Sequence, residues 1–587
     1  MAADLNVYRS SGIMYNGTRA HRCAGKGENH MKFKDMPYER VDFAQAEKEL
    51  RQLMEEFDQA KSGEEQFKVH EKFYELDDRV STQMTIAHIR YDVDTTDEFY
   101  SKEHDYYNEN RPVYVNLALE YQKKLYASPY RDYLEKKIGP VAFKNMELAE
   151  KSMDEKLIPL MQEENALTTE YNKLIAGAKI EFDGQVLNLS LLRPYMVHSD
   201  RNVRAQAHKK RGEFFLANAE KLDEIYDKLV KNRTAQARAM GYENYLELGY
   251  YRMRRNCYGR QEVENFRRQV KADLVPYAEK LHERRRQRLG LEKLSYIDNS
   301  VYFKEGNPAP FGSPEEILAA GQKMYAELSS ETKEFYDFMM ENELFDVLGR
   351  KTKRAGGYMT YMPVYNSPFV FANFNGTSGD VDVITHECGH AFQGYLSGKD
   401  PIREHSEITM ETAEIHSMSM EFFTQKWMPL FFGDRAEDYI EMHLEDSVAF
   451  IPYGCMVDEF QHIVYGNPDM TPGERHAAWL ELEKVYRPHQ DYGDDPFFGK
   501  GGFWQQQQHI YNSPFYYIDY SLAQTCALQY KVKMDADFDE AWKSYLKLCR
   551  LSASDYYTNM IREAGLMSPF EDGCVKNIVE KLEKYVK

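Results

Sequence analysis

The chain contains 587 residues, of which 95 are acidic and 75 are basic, and its formal net charge is −20. A surface with this excess of negative charge disfavours binding to nucleic acids and to anionic membranes. The sequence has no apolar run of about 18 residues, so no transmembrane helix is predicted. Its seven cysteines are scattered without a Cys-x-x-Cys pair, which argues against a disulfide framework and favours a reducing compartment, the cytoplasm.

Residues 1–30 carry no apolar signal core, and we interpret them as an N-terminal extension that precedes the fold at Met31. Beyond this point helical periodicity dominates. One such run covers residues 42–79, and another repeats apolar side chains at helical spacing, namely Phe266, Val270, Leu274, Tyr277 and Leu281. The Asp183-Gly184 pair predicts a short β-hairpin over residues 180–186. The pattern is typical of a mainly α protein with a few short strands.

The basic run Arg284–Arg288 is the exception to the acidic composition. It ends a helical stretch just before Gly290, where positive side chains stabilise a helix C-terminus. We therefore predict no nucleic-acid binding at this run.

The stretch from Tyr365 to Asn375 alternates loosely and is rich in Phe and Val, which predicts a strand. Gly356 and Gly357 mark a turn or loop before it. Such a strand could offer an edge for pairing with an extended peptide. The alternative is an ordinary core strand.

The segment His386-Glu387-Cys388-Gly389-His390 spells H-E-x-x-H. Apolar residues at helical spacing predict a helix over residues 380–396, with Ser378 as its N-cap. His386 and His390, one turn apart, can then reach a single zinc ion, while Glu387 lies beside the metal as a general base. A chance match in a chain of this composition has a probability of about a few per cent, so further evidence is needed.

A third metal ligand is expected from a later segment. The metzincin extension is excluded because Gln393 and Leu396 stand where it requires Gly and His. A second predicted helix, from Ser406 as N-cap to about Trp427, carries four glutamates on one face between flanking Met and Phe residues. These are Glu407, Glu411, Glu414 and Glu421. Buried carboxylates need partners or a metal, and spacing leaves Glu411 and Glu414 both open as the ligand.

Three motifs together resemble the thimet oligopeptidase and oligoendopeptidase F family of zinc peptidases. They are Ser367–Asp380, the H-E-C-G-H motif followed by Ala413–Glu421, and His509–Tyr520. The resemblance implies that Glu414 is the third ligand of one Zn²⁺ per chain and that Glu421 supports the ligands. His416 stands where the oligoendopeptidase F branch usually has a small residue. We expect its side chain to pack in the core.

The last motif concentrates uncharged hydrogen-bond donors, namely His509, Tyr511, Tyr516, Tyr517 and Tyr520. Attack of water on a peptide carbonyl develops an oxyanion, which needs such donors in a site with little water. The resemblance implies that Tyr517 and Tyr520 stabilise the transition state and that His509 contacts the substrate or the oxyanion. The spacing from His509 to the tyrosines is one residue shorter than in the thimet branch.

The resemblance also implies an elongated helical fold with short strands near the active site and a deep internal channel. No Pro- or Gly/Ser-rich linker divides the chain. Residues 31–200 are expected to form an N-terminal helical region, packed as one body with a catalytic region over residues 201–587.

Three functions are compatible with these motifs. The first is a cytoplasmic zinc endopeptidase for short peptides, which uses His386, His390 and Glu414 as ligands and Glu387 as base. The second is a zinc exopeptidase, which needs a cationic group to hold a terminal carboxylate. The third is a non-enzymatic peptide-binding protein. Three protein ligands with an open position favour catalysis over a structural zinc. The expected partners are oligopeptides, without nucleic acid or membrane, and the oligomeric state is left open.

Overall fold

The computed structural model describes residues 31–354 and 356–586. The proposed extension, residues 1–30, lies outside the described residues. Helices dominate the described part of the chain, so the mainly α prediction is confirmed. No helix of these residues is long and apolar enough to cross a membrane. The cysteines in this part of the chain, Cys257, Cys388, Cys455, Cys526, Cys549 and Cys574, are free thiols.

Helices fill the first part of the fold. They are α1 (Phe43–Gln59), α2 (Gly63–Val93), α3 (Glu98–Tyr126), α4 (Arg131–Ile138), α5 (Pro140–Ser152), α6 (Ile158–Ala176), α7 (Leu189–Met196), α8 (Arg201–Ala217), α9 (Ala219–Ala239), α10 (Tyr245–Arg252), α11 (Arg260–Gln269), α12 (Val275–Leu289), α13 (Pro314–Leu328) and α14 (Ser330–Glu341). Asp42 and Ser62 cap α1 and α2 by accepting hydrogen bonds from backbone N–H groups. A π-helical turn, Val270–Leu274, joins α11 to α12.

The remaining helices include those that carry the candidate site. They are α15 (Gly379–Ser397), α16 (Met410–Phe423), α17 (Pro429–Phe432), α18 (Ala436–Gly466), α19 (Pro472–Tyr486), α20 (Gln508–Asn512), α21 (Tyr517–Ala536), α22 (Phe538–Leu551), α23 (Tyr557–Glu563) and α24 (Cys574–Leu582). One hydrophobic core extends from Met36 to Leu582 and includes the buried faces of α15, α16, α18 and α21. A smaller core lies among α1 to α5.

Two small sheets complete the fold. Strands β1 (Ile180–Phe182) and β2 (Gln185–Leu187) form the predicted antiparallel hairpin. Asp183 and Gly184 occupy its turn with φ values of 50° and 71°, as a two-residue hairpin requires. The basic run also ends a helix as predicted, since α12 ends at Leu289 and Gly290 follows with φ 67°.

The second sheet has the order β3 (Phe345–Leu348), β5 (Ser367–Phe374) and β4 (Tyr358–Met362). β5 is the strand predicted over residues 365–375. It pairs in parallel with β3 and antiparallel with β4. Because both of its edges are occupied, the expectation that this strand offers a peptide-binding edge is wrong, and the alternative of a core strand holds. β5 leads directly into α15.

Candidate metal centre

Helix α15 begins after Ser378, as predicted, but a different residue stabilises the turn before it. Ser378 is at the N-cap position but its side chain makes no capping hydrogen bond. Asp380 fixes the turn instead, because its carboxylate accepts from the backbone N–H groups of Asn375 at 2.9 Å and Gly376 at 2.8 Å. The helix then presents His386 and His390 on one face, with ring centroids 5.0 Å apart.

Helix α16 crosses α15 at very close range. It begins at Met410, with Thr409 rather than the predicted Ser406 in the N-cap position. A Cβ atom on Gly389 would lie 2.7 Å from the carbonyl oxygen of His416 and 2.7 Å from Cα of Ser417. Only glycine allows the two backbones to approach this closely, and the crossing delivers the glutamates of α16 to the two histidines.

Glu414 is the glutamate that meets both histidines. Its Oε2 lies 3.4 Å from Nε2 of His386 and 3.4 Å from Nε2 of His390. These three residues offer ligand atoms that all lie within 4.8 Å of one another, whereas Glu411 is outside the group. Geometry therefore separates the two glutamates that spacing leaves open.

The three side chains fit a zinc ion by chemistry as well as by position. Two imidazole nitrogens and one carboxylate oxygen are ligands that zinc prefers, and three protein ligands leave a coordination position for reaction. Burial opposes ionisation of Glu414, but the adjacent His390 and His386 hold its pKa well below the usual value. A carboxylate that stays ionised in a buried site is ready to bind a cation.

Glu421 contacts one of the three candidate ligands and a histidine of another helix. Its Oε1 lies 2.6 Å from Nδ1 of His386, and its Oε2 lies 2.6 Å from Nε2 of His443. Burial alone would favour the neutral acid, but hydrogen bonds from both imidazoles lower the pKa of Glu421 to about 2. His443 lies on α18, and sequence reasoning missed it because no motif links that helix to α15.

Glu387 follows the first histidine of the motif on α15. Its side chain is buried, with 3% exposure. It is outside the group of three convergent ligand atoms. This placement is compatible with a base that acts beside a metal.

Aromatic side chains of α20 and of the start of α21 approach the three candidate ligands, and we call His509, Tyr516, Tyr517 and Tyr520 the aromatic wall. Tyr516 donates a hydrogen bond from Oη to Oε1 of Glu414 at 2.8 Å. The ring of His509 lies 5.0 Å from Tyr517 and 5.9 Å from Tyr520, measured between centroids. Burial lowers the pKa of His509 to about 4, so its imidazole is neutral at pH 7. The sequence groups Tyr516 with this cluster, but only the structure shows its contact with Glu414.

His416 packs against α22, although it lies two residues after Glu414. Its side chain is fully buried, and its Nδ1 lies 3.4 Å from Sγ of Cys549. Tyr545 donates to its carbonyl oxygen at 2.8 Å. The expectation that His416 packs is confirmed.

A second group of potential ligands lies elsewhere, with Glu279 and His282 on α12 and His489 after α19. Arg285 donates to Nδ1 of His282 at 2.6 Å, and Glu279 lies 2.6 Å from Nδ1 of His489. The guanidinium beside His282 repels a divalent cation. The candidate metal centre is therefore the group on α15 and α16.

Family models match most of the chain. Residues 33–153 match the peptidase M3 N-terminal domain, and residues 194–580 match peptidase family M3. The chain belongs to peptidase family M3. This membership makes the protein a peptidase and implies a metal in the active site.

Solved structures similar to this M3 peptidase support the family assignment. A 3.1 Å X-ray structure of a proposed oligoendopeptidase F is 46% identical, with a TM-score of 0.90, and the match covers 95% of this chain and 98% of the other. PZ peptidase A with an inhibitor is also 46% identical, with a TM-score of 0.90 and coverage of 94% and 99%.

A proposed oligoendopeptidase F from Bacillus anthracis str. Ames is 42% identical, with a TM-score of 0.85 and coverage of 95% and 98%. The predicted elongated helical peptidase fold and the family resemblance are thereby confirmed. A search of the curated proteins gives no match to the chain.

Proposed function

We propose that this M3 peptidase is a zinc-dependent endopeptidase that hydrolyses short peptides. The observation that carries the proposal is the convergence of His386, His390 and Glu414 next to the buried carboxylate of Glu387. The two imidazoles and the carboxylate would hold the ion, and Glu421 would keep His386 in the tautomer that offers Nε2.

A zinc ion held by these residues would supply Lewis acidity to a peptide carbonyl and to a water molecule. Glu387 accepts the proton of the attacking water on its carboxylate and then delivers it to the nitrogen of the leaving amine. Such proton transfers by a positioned carboxylate accelerate a reaction by about 10²- to 10⁴-fold.

The aromatic wall stabilises the negative charge that develops on the carbonyl oxygen. Tyr517 and Tyr520 supply O–H donors, and neutral His509 supplies a further polar contact. Donors fixed in a buried site stabilise an oxyanion more strongly than water does, since they need no reorganisation during the reaction.

The proposal is tested with internally quenched peptides. We expect hydrolysis by the purified protein, loss of activity with a chelator, and recovery when zinc is added back. The Glu387→Gln variant should bind one zinc per chain and lose at least about 10²-fold in kcat. A Glu387→Gln variant with wild-type activity would refute the role of Glu387, and activity that survives complete removal of metal would refute the role of zinc.

A further inference from the structure

Two arginines lie near Tyr453, whose ring is 5.6 Å from that of Tyr517 in the aromatic wall. Arg211 belongs to α8, and Arg487 follows α19. The guanidinium carbon of Arg211 lies 4.8 Å from the ring centroid of Phe498, and that of Arg487 lies 5.4 Å from Phe503. Both guanidinium groups act electrostatically on the phenol of Tyr453. We call this group of residues the arginine pocket.

The hydrogen-bonding capacity of both guanidinium groups is only partly used. Nε of Arg211 and Nη1 of Arg487 are buried and have no hydrogen-bond partner among the described residues. Arg211 bonds to a neutral acceptor, Nδ1 of His208, at 3.3 Å. Arg487 approaches a carboxylate, that of Glu483, only to 4.0 Å. Buried charged donors without a partner are costly, and an anionic ligand removes that cost.

Hydrogen bonds connect the arginine pocket to the proposed catalytic groups. Tyr453 donates to Oε1 of Gln507 at 2.8 Å, and Nε2 of Gln507 donates to Nδ1 of His509 at 2.8 Å. The rings of Tyr453 and Tyr517 are 5.6 Å apart. An extended peptide advances about 3.3 Å per residue, and we therefore expect a substrate held at the metal centre to reach the pocket within a few residues.

We propose that Arg211 and Arg487 bind a carboxylate at the end of the peptide substrate, the C-terminal α-carboxylate or an acidic side chain in the same position. This inference rests on the proposed endopeptidase function and adds a determinant of substrate choice to it. A guanidinium fork matches a carboxylate with two parallel hydrogen bonds. The rings of Phe498 and Phe503 pack against the two guanidinium groups, and apolar surroundings strengthen the attraction between opposite charges.

The pocket also has a consequence for peptide length. A C-terminal carboxylate can engage it only when the cleaved bond lies a few residues from the chain end. The arginines would therefore favour short peptides and restrict cleavage to bonds near the C-terminus. They supply the cationic group that an exopeptidase would also need, so the length of the released product distinguishes the two modes of action.

Three peptides with one scissile bond and the same core sequence test the proposal. The first ends in a free carboxylate, the second in an amide, and the third in an amide with Glu as its last residue. We expect kcat/KM of the wild type for the free acid to exceed that for the neutral amide by about 10- to 100-fold, mostly through KM. The third peptide shows whether a side-chain carboxylate is accepted too. Equal values for all three peptides overturn the proposal.

The Arg211→Gln and Arg487→Gln variants locate the effect. In each, we expect the ratio of kcat/KM for the acid to that for the amide to fall toward one. Because both peptides are assayed with the same preparation, this ratio does not depend on how much of the variant is folded. Arg268→Gln is the control, since Arg268 is exposed and paired with Asp572, and its ratio should equal that of the wild type.

Two outcomes separate the pocket from the proposed function. Arginine variants that keep the wild-type ratio overturn the role of the pocket, while hydrolysis that depends on Glu387 leaves the endopeptidase proposal standing. A wild type that cleaves none of the three peptides, under conditions where it holds zinc, would instead contradict the proposed function itself.

Discussion

Nδ1 of His386 lies 2.6 Å from a carboxylate oxygen of Glu421. This contact leaves Nε2 of the same imidazole directed toward Glu414, which it approaches to 3.4 Å. The second oxygen of Glu421 is held by His443 on another helix. A chain of three polar groups therefore fixes both the tautomer and the orientation of one proposed metal ligand, and outer partners of this kind tune metal affinity.

Glu421→Gln should weaken zinc binding. The amide removes the negative charge that holds the Nδ1 proton of His386, and we expect the Kd for zinc to rise by about 10- to 100-fold. Competition with a chromogenic chelator measures the change. Activity should return at high zinc concentration, since Glu421 is not proposed to touch the substrate.

Glu445→Gln is the matched control for that experiment. Glu445 is as buried as Glu421, with 5% against 6% exposure, but its partner is Arg288, at 3.0 Å. We expect Glu445→Gln to lower stability and leave the Kd for zinc unchanged. Equal zinc affinities for the Glu421→Gln variant and the wild type would contradict the supporting role of Glu421.

Gly389→Ala should destabilise the protein although alanine is the better helix former. The added Cβ would lie 2.7 Å from backbone atoms of both His416 and Ser417, so α16 would have to move. Overpacking of this kind costs about 1–3 kcal/mol, more than the roughly 1 kcal/mol gained in helix propensity. Because Glu414 moves with α16, zinc affinity should fall as well.

Gly394→Ala provides the comparison on the same helix. The nearest atoms to a Cβ there belong to the ring of Tyr361, at 3.5 Å, and to Cε of Met359, at 4.0 Å, which are ordinary contact distances. We expect this variant to be neutral or more stable by up to about 1 kcal/mol. Denaturant unfolding of both variants checks the pair, and a Gly389→Ala protein as stable as Gly394→Ala would show that the close helix crossing is not needed.

The sequence predicts the helices and the motif because these depend on local periodicity. The H-E-x-x-H spacing is an i, i+4 relation, and the hairpin needs only Asp183 and Gly184 at its turn. The choice between Glu411 and Glu414 is different. Both lie on one face of α16, and only the angle at which this helix crosses α15 decides which one meets the histidines.

Partners that are distant in sequence could not be predicted. His443 on α18 carries no motif that points to the metal centre, and Arg487 after α19 carries none that points to the arginine pocket. Only the folded core places each of them. The neighbours of strand β5 in its sheet could not be predicted either. Its pattern predicts a strand, but its position between β3 and β4 is a property of the whole sheet, so the expected free edge was wrong.

Tyr516→Phe should act through the metal. The lost hydroxyl donates to Oε1 of Glu414 at 2.8 Å, and without it the carboxylate is held less firmly. We expect about 10-fold weaker zinc binding, with most of the activity restored by excess zinc. A variant whose zinc affinity is normal and whose activity is low would instead place Tyr516 in contact with the substrate.

Tyr520→Phe should act on the chemistry and leave the metal alone. Its ring stands 5.9 Å from His509 in the aromatic wall, and we propose that its hydroxyl donates to the developing oxyanion. Removal of one such donor lowers kcat by about 10²- to 10³-fold, and excess zinc should not restore it. Tyr530→Phe on the same helix is the control, since its hydroxyl bonds to Ser544 at 3.2 Å. Steady-state kinetics with saturating zinc should show a normal kcat for Tyr530→Phe and a low kcat for Tyr520→Phe. If the two variants have equal kcat, the oxyanion role of Tyr520 is wrong.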